Sequence, residues 1–216
     1  GIDDPMDDEA GDESVSPDRD LFEPSWPSGM DPFADDVISF EPGPDAGFGM
    51  ELFPEIVLGS PEGMGGERGS TDVLSLGEEG QIVLAFTDLG MVDGPGPDLL
   101  VFENPFADWF ETAFVEVSSD GEDWVGWPCD PEDIDGGYPY CAGVGYVYAT
   151  SDFIVDPTDP EFAGGDAFDL ADVGLEVARY VRITDSGFNA IGYGGTTGGF
   201  DLDALAVVNW EHIGDE

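Results

Sequence analysis

Nowhere in this chain do apolar residues keep a helical spacing through three turns. Short apolar runs recur instead, cut by Gly, Pro and Asp. VISF from Val37, MELFPEIVL, DLLVFEN, VARYVRITD and LDALAVVNW each carry strand character. The clearest case is TAFVEVSSDGEDWVGWP. There Phe114, Glu116 and Ser118 fall on one face and Val115 and Val117 on the other. Asp120-Gly121 stands where a tight hairpin turn wants a positive φ. DVLSLG and QIVLAF flank Gly77-Glu78-Glu79-Gly80 and predict another hairpin. AFDLADVG is the one candidate for a helical turn. Many short strands separated by turn signals predict an all-β fold, an antiparallel jelly-roll-like β-sandwich from Val37 to about Trp210. No internal repeat is visible.

The second constraint is charge. Fifty Asp and Glu face four Arg and no Lys, a formal charge of −46. Such a field repels nucleic-acid phosphates and anionic membrane surfaces, and it attracts cations. It also opposes compaction, so the fold is expected to recruit counter-ions or bound metal. A halophile's solvated surface is the plainer account of the same number. No apolar run reaches the roughly 18 residues of a membrane helix, so no membrane insertion is expected.

Residues 1–36 stand apart from the domain at 37–216. The segment is acidic, rich in Pro and without periodicity, the composition of a chain that does not fold alone. It nevertheless carries Leu21, Phe22, Trp26, Met30 and Phe33. These anchors predict an extended arm that docks on its own domain or on a neighbouring copy. A plain linker is the alternative. Cys129 and Cys141 close a Gly- and Pro-rich segment, and a disulfide there implies an oxidising compartment.

Phe114–Gly121 followed by Trp124 resembles the strand–turn–strand of discoidin-like (F5/8 type C) domains. Ala178–Ile183 resembles a late core strand of the same galactose-binding-like sandwiches. More closely, FPEIVLGSPEG, VDGPGPDLLVFENPF, AGGDAFDLADVGL and GGFDLDALAVVN resemble uncharacterised cell-surface proteins and lipoproteins of myxobacteria and related bacteria. The match spans about residues 37–210 and leaves out the arm. It implies the sandwich fold and an extracellular, bacterial cell-surface location. It implies no activity.

Three acidic groups are candidate ligands for calcium, which takes six to eight oxygens from carboxylates, carbonyls and water. They are Asp88, Asp93 and Asp98 in TDLGMVDGPGPD; Asp166, Asp169 and Asp172 in GGDAFDLAD; and Asp201 and Asp203, which share a face if GFDLDA is a strand. Glu103 ends an apolar strand and, if buried, needs a partner. None of these follows the EF-hand order. Solvated loop acids or helix caps explain the same residues without a metal.

A sugar site would pair an aromatic platform with hydrogen-bonding groups, and Trp127, Asp135, Tyr138 and Tyr140 near the disulfide loop are its candidates. Core packing and loop stiffening are the competing roles. An enzyme is not expected: His212 is the one His, and Gly-x-Ser-x-Gly is absent. The leading expectation is therefore a non-catalytic extracellular structural or adhesive protein. It would be stabilised by calcium and assemble with copies of itself through the arm. The alternative is a monomeric carbohydrate-binding module. Carboxylate-pair glycoside hydrolysis is a third class, without named residues.

Overall fold

The computed structural model describes residues 24, 26–107, 109–188 and 196–213. Thirteen strands run through them: β1 (Asp36–Glu41), β2 (Leu74–Ser75), β3 (Gln81–Ala85), β4 (Leu89–Val92), β5 (Leu99–Phe102), β6 (Ala113–Ser118), β7 (Val125–Gly126), β8 (Asp166–Phe168), β9 (Val177–Ala178), β10 (Tyr180–Asp185), β11 (Asp201–Leu202), β12 (Ala204–Val207) and β13 (Trp210–His212). All pairings are antiparallel, and the fold is an all-β sandwich. One sheet has the order β1-β3-β10-β6-β7. Against it lie β12-β5-β8, β13-β4-β9 and the pair β11-β2.

Alternation decides which face is buried. Val181 and Ile183 of β10, Val115 and Val117 of β6, and Ile82 and Leu84 of β3 point inward. They meet Leu99, Val101, Leu205 and Val207 from the opposite layer. Each such side chain stabilises the fold by about 1.5–3 kcal/mol on burial. The run LLVF in β5 has no polar position because both of its faces are covered. Leu99 and Val101 enter the main core. Leu100 and Phe102 enter a second cluster with Phe33, Val147, Ala149, Ala163, Ala204 and Ala206.

The hairpin at residues 114–126 forms as expected. Ser118 Oγ accepts from the amide of Gly121 at 2.9 Å, and Asp120 Oδ1 accepts from those of Glu122 and Asp123, each at 2.9 Å. AFDLADVG supplies strand β8 and then a 3-10 turn at Leu170–Asp172, capped by Asp169. The second expected hairpin does not form. Gly77–Gly80 makes a turn, but β2 pairs with β11 while β3 pairs with β1 and β10. Both edges of β3 are already taken, so β2, on the other side of the turn, joins another sheet.

Cys129 and Cys141 form the expected disulfide. Replacing both with Ser should lower stability by about 2–3 kcal/mol, because the unfolded chain then regains the freedom of that loop. Thermal melts in oxidising buffer check this. A loss below about 0.5 kcal/mol would mean that local contacts such as Asp130 N–H to Pro139 O, at 3.1 Å, hold the loop unaided.

The core also draws on the chain before Val37. Phe33 is 3% exposed and bridges Ala206, and the Val207 amide donates to the Pro32 carbonyl at 2.8 Å. Trp26 meets the Phe153 ring edge-on at 6.3 Å. These two anchors and Met30 are seated on their own domain. Leu21 and Phe22 lie outside the described residues.

Candidate functional site

With so few basic side chains, the buried acids take their compensation from backbone amides. Asp98 is fully buried. Its Oδ1 accepts from Gly94 N–H at 2.9 Å and Asn209 Nδ2 at 2.8 Å, and its Oδ2 from Leu170 N–H at 2.8 Å. Asp185 accepts from the amides of Glu79, Gly187 and Phe200 at 2.8–3.0 Å. Asp166 takes three successive amides, Gly143, Val144 and Gly145, at 2.7–3.0 Å. That nest requires Gly143, which has φ +95° and whose Cβ would lie 2.0 Å from the Glu111 carbonyl oxygen. Burial pushes the Asp166 carboxyl up to about 6 against the pull of those amides. Both oxygens of Asp203 face the Glu62 amide, at 3.0 and 3.2 Å. Burial raises its pKa well above the ordinary value, and the charges of Asp72 and Glu62 push the same way.

The acids read as three loop groups regroup in space. Asp93, Asp98 and Asp169 come together, with one oxygen from each within 4.8 Å of the others. Hydrogen bonds already occupy Asp98, and Asp169 Oδ1 caps Ala171 N–H at 2.9 Å, so this group is explained without an ion. Asp88 does not join it. Strand β4 separates Asp88 from Asp93 by about 17 Å of extended chain. Asp88 instead lies beside Asp35; burial and that charge raise its pKa. Asp172 is exposed. Asp201 and Asp203 part company because β11 ends at Leu202, and the two carboxylates enter different hydrogen-bond sets.

Glu103, Glu111 and Asp201 form the second group, again with oxygens within 4.8 Å of one another. They are 2%, 6% and 8% exposed. Glu103 follows the end of β5, Glu111 precedes β6 and Asp201 opens β11. Asp201 accepts from Ser75 Oγ and from the Asn104 side chain. Trp109 lies beside Glu111, and Glu103 accepts from the Asp201 amide. Glu103 Oε2 is buried with no hydrogen-bond partner among the described residues. Burial first, then the neighbouring charges, raises all three: Asp201 to about 6, Glu111 to about 8, and Glu103 well above its usual range. The sequence pattern marks Glu103 and Asp201 as candidate ligands but not Glu111. Its one signal is a lone acid between the aromatic run FADWF and a strong strand.

Of the sugar candidates, Trp127 does not share a surface with the other three. Trp127 is withdrawn into the core; its ring packs on Phe168 at 4.9 Å and its indole N–H donates to the Asp169 carbonyl at 3.2 Å. Tyr138 leans on Phe110 at 6.0 Å, while Asp135 and Tyr140 are exposed on the disulfide loop.

A different polar surface lies on the outward face of the five-stranded sheet. A groove of about 620 Å³ is lined by Gln81, Phe114, Glu116, Arg182 and Thr184, with Trp127 and Gly126 at its side. Arg182 Nε donates to Glu116 Oε2 at 2.7 Å, and its guanidinium lies 4.3 Å from the centre of the Trp124 ring. Gln81 Nε2 donates to Thr184 Oγ1 at 2.9 Å. Gly126 keeps the groove open, since a Cβ there would lie 2.7 Å from Glu116 Cγ. Comparison with known protein families and with characterised proteins returns no match.

Proposed function

We propose that this protein is a non-catalytic extracellular adhesion module that binds neutral glycans across the outward face of its five-stranded sheet. The carrying observation is the fixed Arg182–Glu116 pair beneath an open groove. Arg182 is held by an ion pair on one side and an indole on the other, so its remaining N–H donors are aimed before any ligand arrives. Gln81 and Thr184 stand one rank along the same face, in register with Phe114. Together they offer donors and acceptors along one open groove, with the Phe114 ring alongside. Anionic glycans are disfavoured because the −46 field repels them. The disulfide favours an oxidising, extracellular compartment. The seating of Trp26, Met30 and Phe33 on their own domain favours this reading over assembly through the arm.

The test is affinity electrophoresis against soluble β-glucan, xylan, mannan and galactan, with calorimetry on any that retard the protein. At least one should bind. The Q81A/T184A variant should bind that glycan about tenfold more weakly or worse, from the loss of two or more hydrogen-bonding groups. Indifference to all four polymers, or unchanged affinity in the variant, would remove the proposal.

A further inference from the structure

We infer that Glu103, Glu111 and Asp201 form a binding site for one hard divalent cation, with calcium the best match. The site is independent of the glycan face. Two observations carry it. The first is the arrangement: three buried carboxylates from three separate chain segments, converging with oxygens within 4.8 Å of one another. That is no wider than the distance between opposite ligands around calcium, about 4.8 Å for Ca–O contacts of about 2.4 Å. The second is Glu103 Oε2, buried and without a partner among the described residues. Asp98, Asp166, Asp185 and Asp203 all accept from backbone amides, and this oxygen departs from their pattern.

Protons alone do not complete the site. A protonated Glu103 would relieve the repulsion from Asp201 and Glu111. With that proton on the other oxygen, Oε2 would remain a bare acceptor. A cation removes both defects, because it neutralises the repulsion and gives the orphaned oxygen a ligand bond. Among the described residues no ion pair reaches these acids: Arg182 is committed to Glu116 on the outward sheet face, Arg179 is exposed, and Arg68, which lines a small cavity with Glu103, is also exposed and makes no ion pair with it. The donors are all oxygens, and Asn104 and Ser75, which touch Asp201, add only more oxygen and amide. Such a set suits calcium or magnesium over a soft metal. The ion would tie the end of β5, the segment before β6 and the start of β11 into one knot.

Trp109 gives the experiment a built-in probe. It stands beside Glu111, close enough to sensitise a bound lanthanide. The chelator-stripped protein is titrated with calcium and, separately, magnesium by calorimetry. It is then titrated with terbium while exciting tryptophan. One saturable calcium site is expected, with sensitised terbium emission that calcium displaces. E103Q should weaken calcium binding about 100-fold or more and abolish the emission, and E111D, which keeps the charge but shortens the reach, should weaken it at least tenfold. D93N, in the amide-satisfied group, should change neither. The absence of a saturable site, or wild-type affinity in both E103Q and E111D, would overturn the assignment. E111D also serves if E103Q fails to fold.

Discussion

Asp98→Asn should destabilise the protein by about 3–5 kcal/mol, although it changes one buried atom. Asp98 serves three donors: Gly94 N–H, Leu170 N–H and Asn209 Nδ2. An Asn there keeps one acceptor oxygen and turns an NH₂ group toward a donor, whichever way the amide flips. One or two buried N–H groups then lose their partner at about 1–3 kcal/mol each, and the charge-assisted bonds weaken as well. Against a total stability of about 5–15 kcal/mol, that is a large fraction. Asp169→Asn is the matched control. It alters a partly exposed cap and should cost no more than about 1 kcal/mol. Urea unfolding of both variants makes the comparison. Equal, small losses would show that the amide contacts of Asp98 do not carry the stability assigned to them.

The second large effect concerns pH. In chelator, stability should fall as pH rises from 5 to 8.5. Glu111 has its folded pKa raised to about 8 and Asp201 to about 6, both above their ordinary values, chiefly by burial. A raised carboxyl pKa means that the folded state holds a proton the unfolded chain has released. Its contribution is complete below the unfolded value and is lost as pH climbs through the folded one. For Glu111 alone this amounts to roughly 3–5 kcal/mol at about 1.4 kcal/mol per unit. The groups facing it are Glu103, Asp201, Asp185 and Trp109, and none supplies a positive charge. Asp120 is lowered by its turn amides and so works the opposite way, but only at acid pH. Millimolar calcium should flatten the fall, because the ion favours the deprotonated carboxylates. Thermal melts at several pH values, with and without calcium, test this. A chelated protein that grows more stable between pH 5 and 8 would contradict it.

Local pattern made parts of this structure legible. Strict alternation placed Val115 and Val117 inward and Phe114 and Glu116 outward, and Asp120-Gly121 announced its turn. Long-range pairing was not legible. Nothing in DVLSLG says that Leu74 and Ser75 meet Leu202 and Asp201 across the whole domain. The acids show the same divide. Their abundance signalled a need for compensation, but most of it comes from backbone N–H groups, which every residue but Pro carries and no composition reveals. Asp98 and Asp169 meet only because β5 pairs with β8, bringing their loops to one end of the sandwich. Glu111 lacked any loop signature, and Trp127 carries the same aromatic label in the core as it would on a platform.

The docking of Pro32 and Phe33 along β12 has a consequence for handling the protein. β12 is an outer strand of its sheet, and an outer strand with free amides and carbonyls is a template for pairing with another chain. Pro32 takes the Val207 amide and Phe33 lies against Ala206, so part of that template is already used. A version cut to start at Val37 would expose this seam together with the apolar pocket that Phe33 fills. Such a fragment is expected to be sticky, and work on the isolated sandwich is better begun before Trp26.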